Sequence, residues 1–416
     1  MRADTASGAG PAIDNVVIVG AGQAGLQVAA ALRKRRFSGA ITLIGDETHP
    51  PYQRPPLSKA YFKGELAADR LFLKPLAFYE DQDVALVTGD AVDAVDLDGR
   101  TVRTRSGRTI AFDGLVFATG STPRRLPGAP THADGLFVLR GLDDADAMRA
   151  AIRPGARVVV IGGGYIGLEA ASAAKQLGCA VTVLERAPRL LARVTSAPVA
   201  DFYARLHADR GVDVRCDARV AGVDVQDGRV VGVRMDDGET IAADAVLVGI
   251  GVTPNDETAR AAGVACDDGV LVDDDGRTAH PRIYAAGDCA RRPWKDGTVR
   301  LESVHNALDQ GERIAADIVG AAPPPPDPPW FWSDQYEVKL QTAGLFNDFD
   351  EIALRGAPEN GRFAAFYFKD GAFIAVDAVN DPASFLCGKQ ILKLGGTLSP
   401  DDASDENIDL KTLIRR

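Results

Sequence analysis

The chain has little with which to build a covalent redox centre. Its five cysteines (Cys179, Cys216, Cys266, Cys289 and Cys387) lie far apart in 416 residues, with no CxxC pair. An odd, scattered set excludes a disulfide framework and a cysteine-ligated zinc site, and it favours a reducing compartment, the cytoplasm. Positive charge is also short. The 47 Lys and Arg against 58 Asp and Glu leave a net charge of −11, which argues against general nucleic-acid binding while permitting a local basic patch. No apolar run approaches the ~20 residues that span a bilayer. The opening MRADTASGAGPA lacks the apolar segment of a secretory signal, so residues 1–13 read as a disordered tail. What remains is ordinary for a soluble protein, 25% charged and 46% hydrophobic, and long enough for two or three domains.

One pattern occurs twice. NVVIVGAGQAGLQVAAALRKRRFSGAITLIGD (15–46) reads strand, glycine turn, helix, strand, and RVVVIGGGYIGLEAASAAKQLGCAVTVLER (157–186) repeats the order. Both strands are continuously apolar, as a buried parallel strand requires. Gly20, Gly22 and Gly25, and later Gly162, Gly164 and Gly167, keep the GxGxxG spacing, and each copy closes on an acid, Asp46 or Glu185. In this motif the first glycine makes the turn and the second admits a pyrophosphate. The third lets helix and strand pack, the helix N-terminus faces the anion, and the acid binds ribose hydroxyls. The repeat continues. Residues 92–123 and 220–254 each read as short strands with DG turns, then a buried strand that stops at Gly120 or Gly251 before T-P. Two dinucleotides on two similar domains point to electron or hydride transfer between them.

The order GAGQAG, PPLSK, ATG, GGGYIGLE, AAGD, PWFWSDQ resembles the FAD/NAD-dependent ferredoxin reductases that serve bacterial haem monooxygenases and ring dioxygenases, and the likeness runs from about residue 14 through nearly the whole chain. The resemblance implies an α/β fold with two Rossmann-like, glutathione-reductase-like dinucleotide-binding domains and a small C-terminal α+β domain. FAD would be held by 14–121 and 252–328, NADH by 122–251, and the last domain would be 329–416. On the FAD side it implies Gly20, Gly22, Gly25, Asp46, Arg54, Pro55 and Lys59, the ATG residues Ala118, Thr119 and Gly120, Asp288 of AAGD, and Val304 at a helix start. On the NADH side it implies Gly162, Gly164, Tyr165, Ile166, Gly167 and Glu185. Lys59 would approach the flavin N5 edge, Glu169 the nicotinamide, and Trp332 the isoalloxazine, with Trp330 the weaker choice. Tyr165 is either a gate to the nicotinamide pocket or a packed aromatic, and His305 reads as structural. Glu185 favours NADH because an acid there repels a 2′-phosphate, although Arg186, Arg189 and Arg193 follow it.

The missing thiols bear on the acceptor. Disulfide reductases of this superfamily carry a redox cysteine pair or one peroxidatic cysteine beside the flavin, and this chain has no cysteine before Cys179. Without a thiol relay a disulfide has no covalent route to reduction. The electrons therefore leave the flavin directly, and the resemblance implies that they pass one at a time to a [2Fe-2S] ferredoxin, in a transient complex with a monomer or weak homodimer. A rubredoxin as partner, a signalling flavoprotein resembling apoptosis-inducing factor, and a monodehydroascorbate reductase are alternatives.

AAPPPPDPPWFWSDQ (321–335) reads as a stiff connector. Beyond it come short strands with a KDG hairpin, then a helix in DPASFLCGKQILKLGG with an acidic start and a glycine stop. Arg313, Lys339, Lys389, Lys393, Arg415 and Arg416 are candidate docking cations.

Overall fold

A computed structural model describes residues 13–414. The expected tail, apart from its last residue, and the docking candidates Arg415 and Arg416 lie outside them. The chain divides into two compact units. One comprises the described residues of Met1–Tyr52 with Phe72–Ser121 and Pro254–Pro325, and the other Gln53–Leu71, Thr122–Thr253 and Pro326–Arg416. The PPLSK loop thus belongs by its contacts to the unit that also holds the second glycine turn.

In the first unit five parallel strands lie in the order Ile283–Ala285, Gly114–Phe117, Asn15–Val19, Ala40–Ile44, Val84–Val87. Successive side chains of a strand point to opposite faces. Val16 and Ile18 pack with Leu26, Val28 and Leu32 of helix Gln23–Lys34 and with Ile314 of helix Val304–Ile318. Val17 and Val19 face the other way, into a cluster with Val92 and Val102 of the antiparallel strands Val92–Asp96 and Thr101–Thr104. Both faces being covered is why VVIV is apolar at every position.

The second unit contains the same arrangement. Parallel strands run in the order Asp213–Arg215, Ala180–Leu184, Arg157–Ile161, Ala245–Val248, Leu136–Phe137, and helix Tyr165–Gln176 follows the glycine turn. Strands Val220–Gln226, Arg229–Met235 and Thr240–Ala242 form the antiparallel meander. At its first turn Asp227 (φ 51°) and Gly228 (φ 77°) are both left-handed, the geometry that the DG pair foretells. Beyond residues 321–329, which have no regular structure, five antiparallel strands follow in the order Trp330–Gln335, Val338–Gly344, Ala372–Val379, Arg362–Lys369, Glu351–Ala357. Helix Pro382–Leu394 buries Phe385, Cys387 and Ile391 against Phe366, Phe368 and Val376 of this sheet. Gly395, at φ 65°, terminates the helix.

Candidate functional site

The two glycine turns agree atom for atom in what they exclude. Gly20 has φ +115°, and a Cβ there would lie 2.1 Å from the Ala118 carbonyl oxygen; Gly162 has φ +112° and would meet the Gly249 oxygen at 2.3 Å. A Cβ on Gly25 or Gly167 would strike the oxygen of Gly20 or Gly162 at 2.0 or 2.1 Å. Among the described residues, chain neighbours and the helix's own backbone apart, Gly22 and Gly164 have no heavy atom within 4 Å of the same position. Each is also the N-cap of its helix and offers no capping side chain, which leaves the first N–H groups facing an open cradle. The residues present fit a pyrophosphate at both turns.

The strand-end acids differ. Gly20 N–H donates to the Ile44 oxygen at 2.7 Å and Gly162 N–H to the Leu184 oxygen at 2.8 Å, so Ile44 and Leu184 are counterparts. The residue after Leu184 is Glu185, whose carboxylate accepts from Gly163 N–H and Ala187 N–H, each at 2.7 Å. The residue after Ile44 is Gly45. Asp46 comes one position later and is exposed.

Around the first turn, Thr119 Oγ1 donates to the Asn255 oxygen and Asn255 Nδ2 to the Thr119 oxygen, which fixes the ATG segment. Ser121 Oγ donates to Asp288 Oδ2 at 2.9 Å, and Gly287 N–H to Gln310 Oε1 at 2.7 Å. At the start of helix Val304–Ile318, Ser303 Oγ accepts from Asn306 N–H. His305 is half-buried in that first turn.

The unexpected assembly is in the second unit, where the PPLSK loop meets helix Tyr165–Gln176. Pro55–Ser58 forms one 3₁₀ turn with proline at its start. It sets Ser58 and Lys59 side by side. Both donate to Glu169 Oε2 at 2.6 Å, and Ser333 Oγ donates to Oε1 at 2.7 Å. Glu169 is 5% exposed and the Lys59 side chain 18%. Lys59 and Glu169, separate candidates in the sequence, are one buried ion pair with both carboxylate oxygens occupied. The rest of the loop is clamped too. Arg54 Nη1 donates to the Arg140 oxygen, Tyr61 OH to Asp146, and the Arg149 guanidinium lies 4.7 Å from the centroid of the Tyr61 ring. Pro55 accepts from Lys59 Nζ at 3.1 Å through its carbonyl.

Strand Trp330–Gln335 lies against the same helix. Phe331 stacks on Tyr165 with centroids 4.7 Å apart, while Trp330 and Trp332 stand 5.5 Å from one another. Tyr165 OH donates to the Val194 oxygen, and burial pushes its phenol well up from the ordinary value. Ile166, beside it, is 43% exposed. Ser58, Ser333, Gln335 and His207 were not singled out from sequence. The alternation of polar Ser333 and Gln335 in an otherwise aromatic strand was the available signal.

A second buried centre joins the C-terminal sheet to the segment after Glu185. Asp377 accepts from Thr195 Oγ1 and from Tyr367 OH, and the Tyr367 oxygen in turn accepts from Ser196 Oγ. Burial pushes Asp377 up to about 6. Arg189 turns inward onto the oxygens of Thr195 and Ala192, so it is not the free guanidinium that a 2′-phosphate needs.

Two expectations change. Arg313 is only 8% exposed and paired with Asp309, so it is no docking cation. Lys389 and Lys393 both bind Asp327 of the proline-rich segment at 2.8 Å, and Lys389 also stands over the Trp330 ring, so they tie that segment down. Lys339 is exposed beside Asp334. All five cysteines are free, and burial pushes every thiol up, Cys266 to about 11. None is poised as a thiolate.

Comparison with known proteins places this arrangement. The pyridine nucleotide-disulphide oxidoreductase family matches residues 14–311 and the reductase C-terminal family residues 330–414. A probable ferredoxin reductase, CtmF, of Castellaniella defragrans is 44% identical over 96% of this chain and 98% of its own. Putidaredoxin reductase CamA of Pseudomonas putida is 43% identical over 96% and 97%. The crystal structure of a covalent putidaredoxin reductase–putidaredoxin complex superposes with a TM-score of 0.95 at 42% identity, covering 97% of this chain and 99% of that one. The chain belongs to the pyridine nucleotide-disulphide oxidoreductase family, among relatives that are putidaredoxin reductase-like ferredoxin reductases.

Proposed function

We propose that the protein is an NADH-dependent ferredoxin reductase, with FAD at the Gly20–Gly25 turn and NADH at the Gly162–Gly167 turn. Its acceptor is a [2Fe-2S] ferredoxin that feeds a haem monooxygenase or a ring-hydroxylating dioxygenase, in the cytoplasm. The observation that carries this reading is a pair of matching open glycine cradles in a chain whose five cysteines are all unpaired. The flavin, when bound, supplies the conversion of a two-electron hydride into single electrons, which an iron–sulfur protein requires.

The chain's own groups bind and orient. Glu185, held by two backbone N–H groups, presents an acid to the NADH ribose and disfavours a 2′-phosphate. Glu169 lies in the helix that leaves the second turn and stabilises the positive charge that develops on the nicotinamide. Lys59, 2.6 Å from Oε2, holds that carboxylate in place. FAD is held by the ATG segment, by Asp288 and by the start of helix Val304–Ile318. The segments 14–121 with 252–328, 122–251 and 329–416 act as FAD, NADH and C-terminal domains, in a monomer or weak homodimer.

The test is NADH-dependent reduction of cytochrome c in the presence of a panel of purified ferredoxins and a rubredoxin, with ferricyanide as a direct acceptor. The expected result is turnover with a ferredoxin, and a lower kcat/KM for NADPH than for NADH. Rapid flavin bleaching by NADH with no iron–sulfur acceptor reduced would sink the proposal.

A further inference from the structure

Glu169 is the end of a longer buried chain, and the direction of that chain is forced at every link. A carboxylate only accepts, so Ser333 Oγ, 2.7 Å from Glu169 Oε1, donates its hydrogen there. Ser333 then accepts from Gln335 Nε2 at 3.3 Å, which makes Gln335 Oε1 an acceptor. His207 Nε2 lies 2.9 Å from that oxygen and must carry the hydrogen. Its Nδ1 keeps a lone pair, which faces Tyr336 OH at 3.4 Å. Ser333, Gln335 and His207 are each 0% exposed. Burial, with a smaller contribution from nearby Arg210, pushes His207 down to about 4, so the ring is neutral at pH 7 and can hold one tautomer.

We propose that Ser333, Gln335 and His207 are positioning residues for Glu169. They form a relay of hydrogen bonds whose dipoles all point at the carboxylate and which fixes it against rotation. Lys59 and Ser58 converge on Oε2, and among the described residues the relay alone holds Oε1. Aligned bonds of this kind polarise one another in a buried setting. The strand's alternation puts residues 333 and 335 on one side. Tyr336 N–H donates to Ser172 Oγ of the same helix at 2.7 Å, which pins the strand's end. The inference rests on the proposal that Glu169 serves the nicotinamide.

Two measurements on the FAD-loaded protein test it. The first is the nitrogen-15 spectrum of histidine-labelled enzyme. His207 is expected as the neutral Nε2–H tautomer at pH 7, and an Nδ1–H tautomer or an imidazolium overturns the relay. The second is stopped-flow reduction of the flavin by NADH. Ser333→Ala is expected to slow this step roughly 10-fold, the loss of one hydrogen bond to a charged group, with the Kd for NADH unchanged. Ser333→Thr keeps the hydroxyl and restores most of the rate, and Gln335→Leu falls between. If Ser333→Ala lowers only the melting temperature, or Thr and Ala behave alike, the positioning role is wrong. Glu169→Gln separates the two levels. If it too leaves the rate unchanged, the nicotinamide reading falls and the relay's role with it. A slow Glu169→Gln beside a normal Ser333→Ala overturns the relay alone.

Discussion

Gln27 stands two residues after Gly25, and Glu169 two residues after Gly167. The turns before them are nearly superimposable in their steric constraints, yet the two side chains have different work. Gln27 Nε2 donates to Glu312 at 2.9 Å and ties helix Gln23–Lys34 to helix Val304–Ile318. Glu169 turns inward to Lys59, Ser58 and Ser333. A second contrast lies at the strand ends, where Glu185 grips two N–H groups and its counterpart is Gly45. The duplicated scaffold supplies two matching glycine cradles, while the carboxylate bonded by Lys59, Ser58 and Ser333 and the strand-end acid gripped by backbone N–H groups belong to the second copy. A glycine turn is reproduced by sterics and can be copied whole. A buried carboxylate persists only where donors compensate its desolvation.

The largest effect expected from this contrast is at Glu169. Glu169→Gln should slow flavin reduction by NADH about 100-fold, on the scale of removing one preorganised electrostatic group. Gln27→Leu should leave that rate unchanged and lower stability by about 1 kcal/mol, as loss of a partly buried hydrogen bond does. Stopped-flow traces and thermal melts of both variants decide this, and equal rate losses would break the contrast. Next come the cradles. Gly164→Ala should raise the KM for NADH at least ~10-fold with FAD retained, whereas Gly22→Ala should release FAD, since each methyl displaces a charge-assisted bond to phosphate. Flavin content and KM, measured side by side, show whether the two turns are divided as proposed.

A smaller change is expected at the acids. Glu185→Gln should weaken NADH roughly 5–10-fold and narrow the gap to NADPH, while Asp46→Asn should alter FAD retention less. If Asp46→Asn strips the flavin, the exposed acid does more than its position suggests.

The smallest effect is a near-cancellation with pH. His207 is held at about 4 against an ordinary 6.5, so its contribution is complete above pH 6.5 and is lost as pH falls towards 4. Asp377 is raised from 3.8 to about 6, so its contribution has the opposite sign, absent at pH 7 and gained as pH falls through 6. Each is worth about 3 kcal/mol across its window, and the pair should leave stability nearly flat between pH 6 and 4. Asp377→Asn should expose the His207 loss as a falling melting temperature on acidification. A flat profile in that variant would show that His207 takes up its proton without cost.

Much of this is legible in the sequence. The strands VVIV and VVVI, their glycines and the Asp227–Gly228 turn are local features that sterics and burial on both sheet faces impose, and Gly395 ended helix Pro382–Leu394 as its position implied. The docking cations were less legible. Exposure and pairing are properties of the folded surface: Arg313 is buried beside Asp309, whereas Lys389 and Lys393 pair with Asp327 across more than sixty residues of chain and Lys393 stays exposed. Asp46 was paired with Glu185 by counting, but hydrogen-bond register, which no count reports, makes Gly45 the counterpart.

By itself the sequence determined the two dinucleotide cradles and the absence of a thiol relay, because GxGxxG geometry and missing cysteines are encoded residue by residue. Tertiary structure alone decided that Lys59, Glu169 and Ser333, up to 274 positions apart, share one buried carboxylate. Charge compensation is a matter of distance in space, and only the packed loop, helix and strand bring those donors within hydrogen-bonding reach.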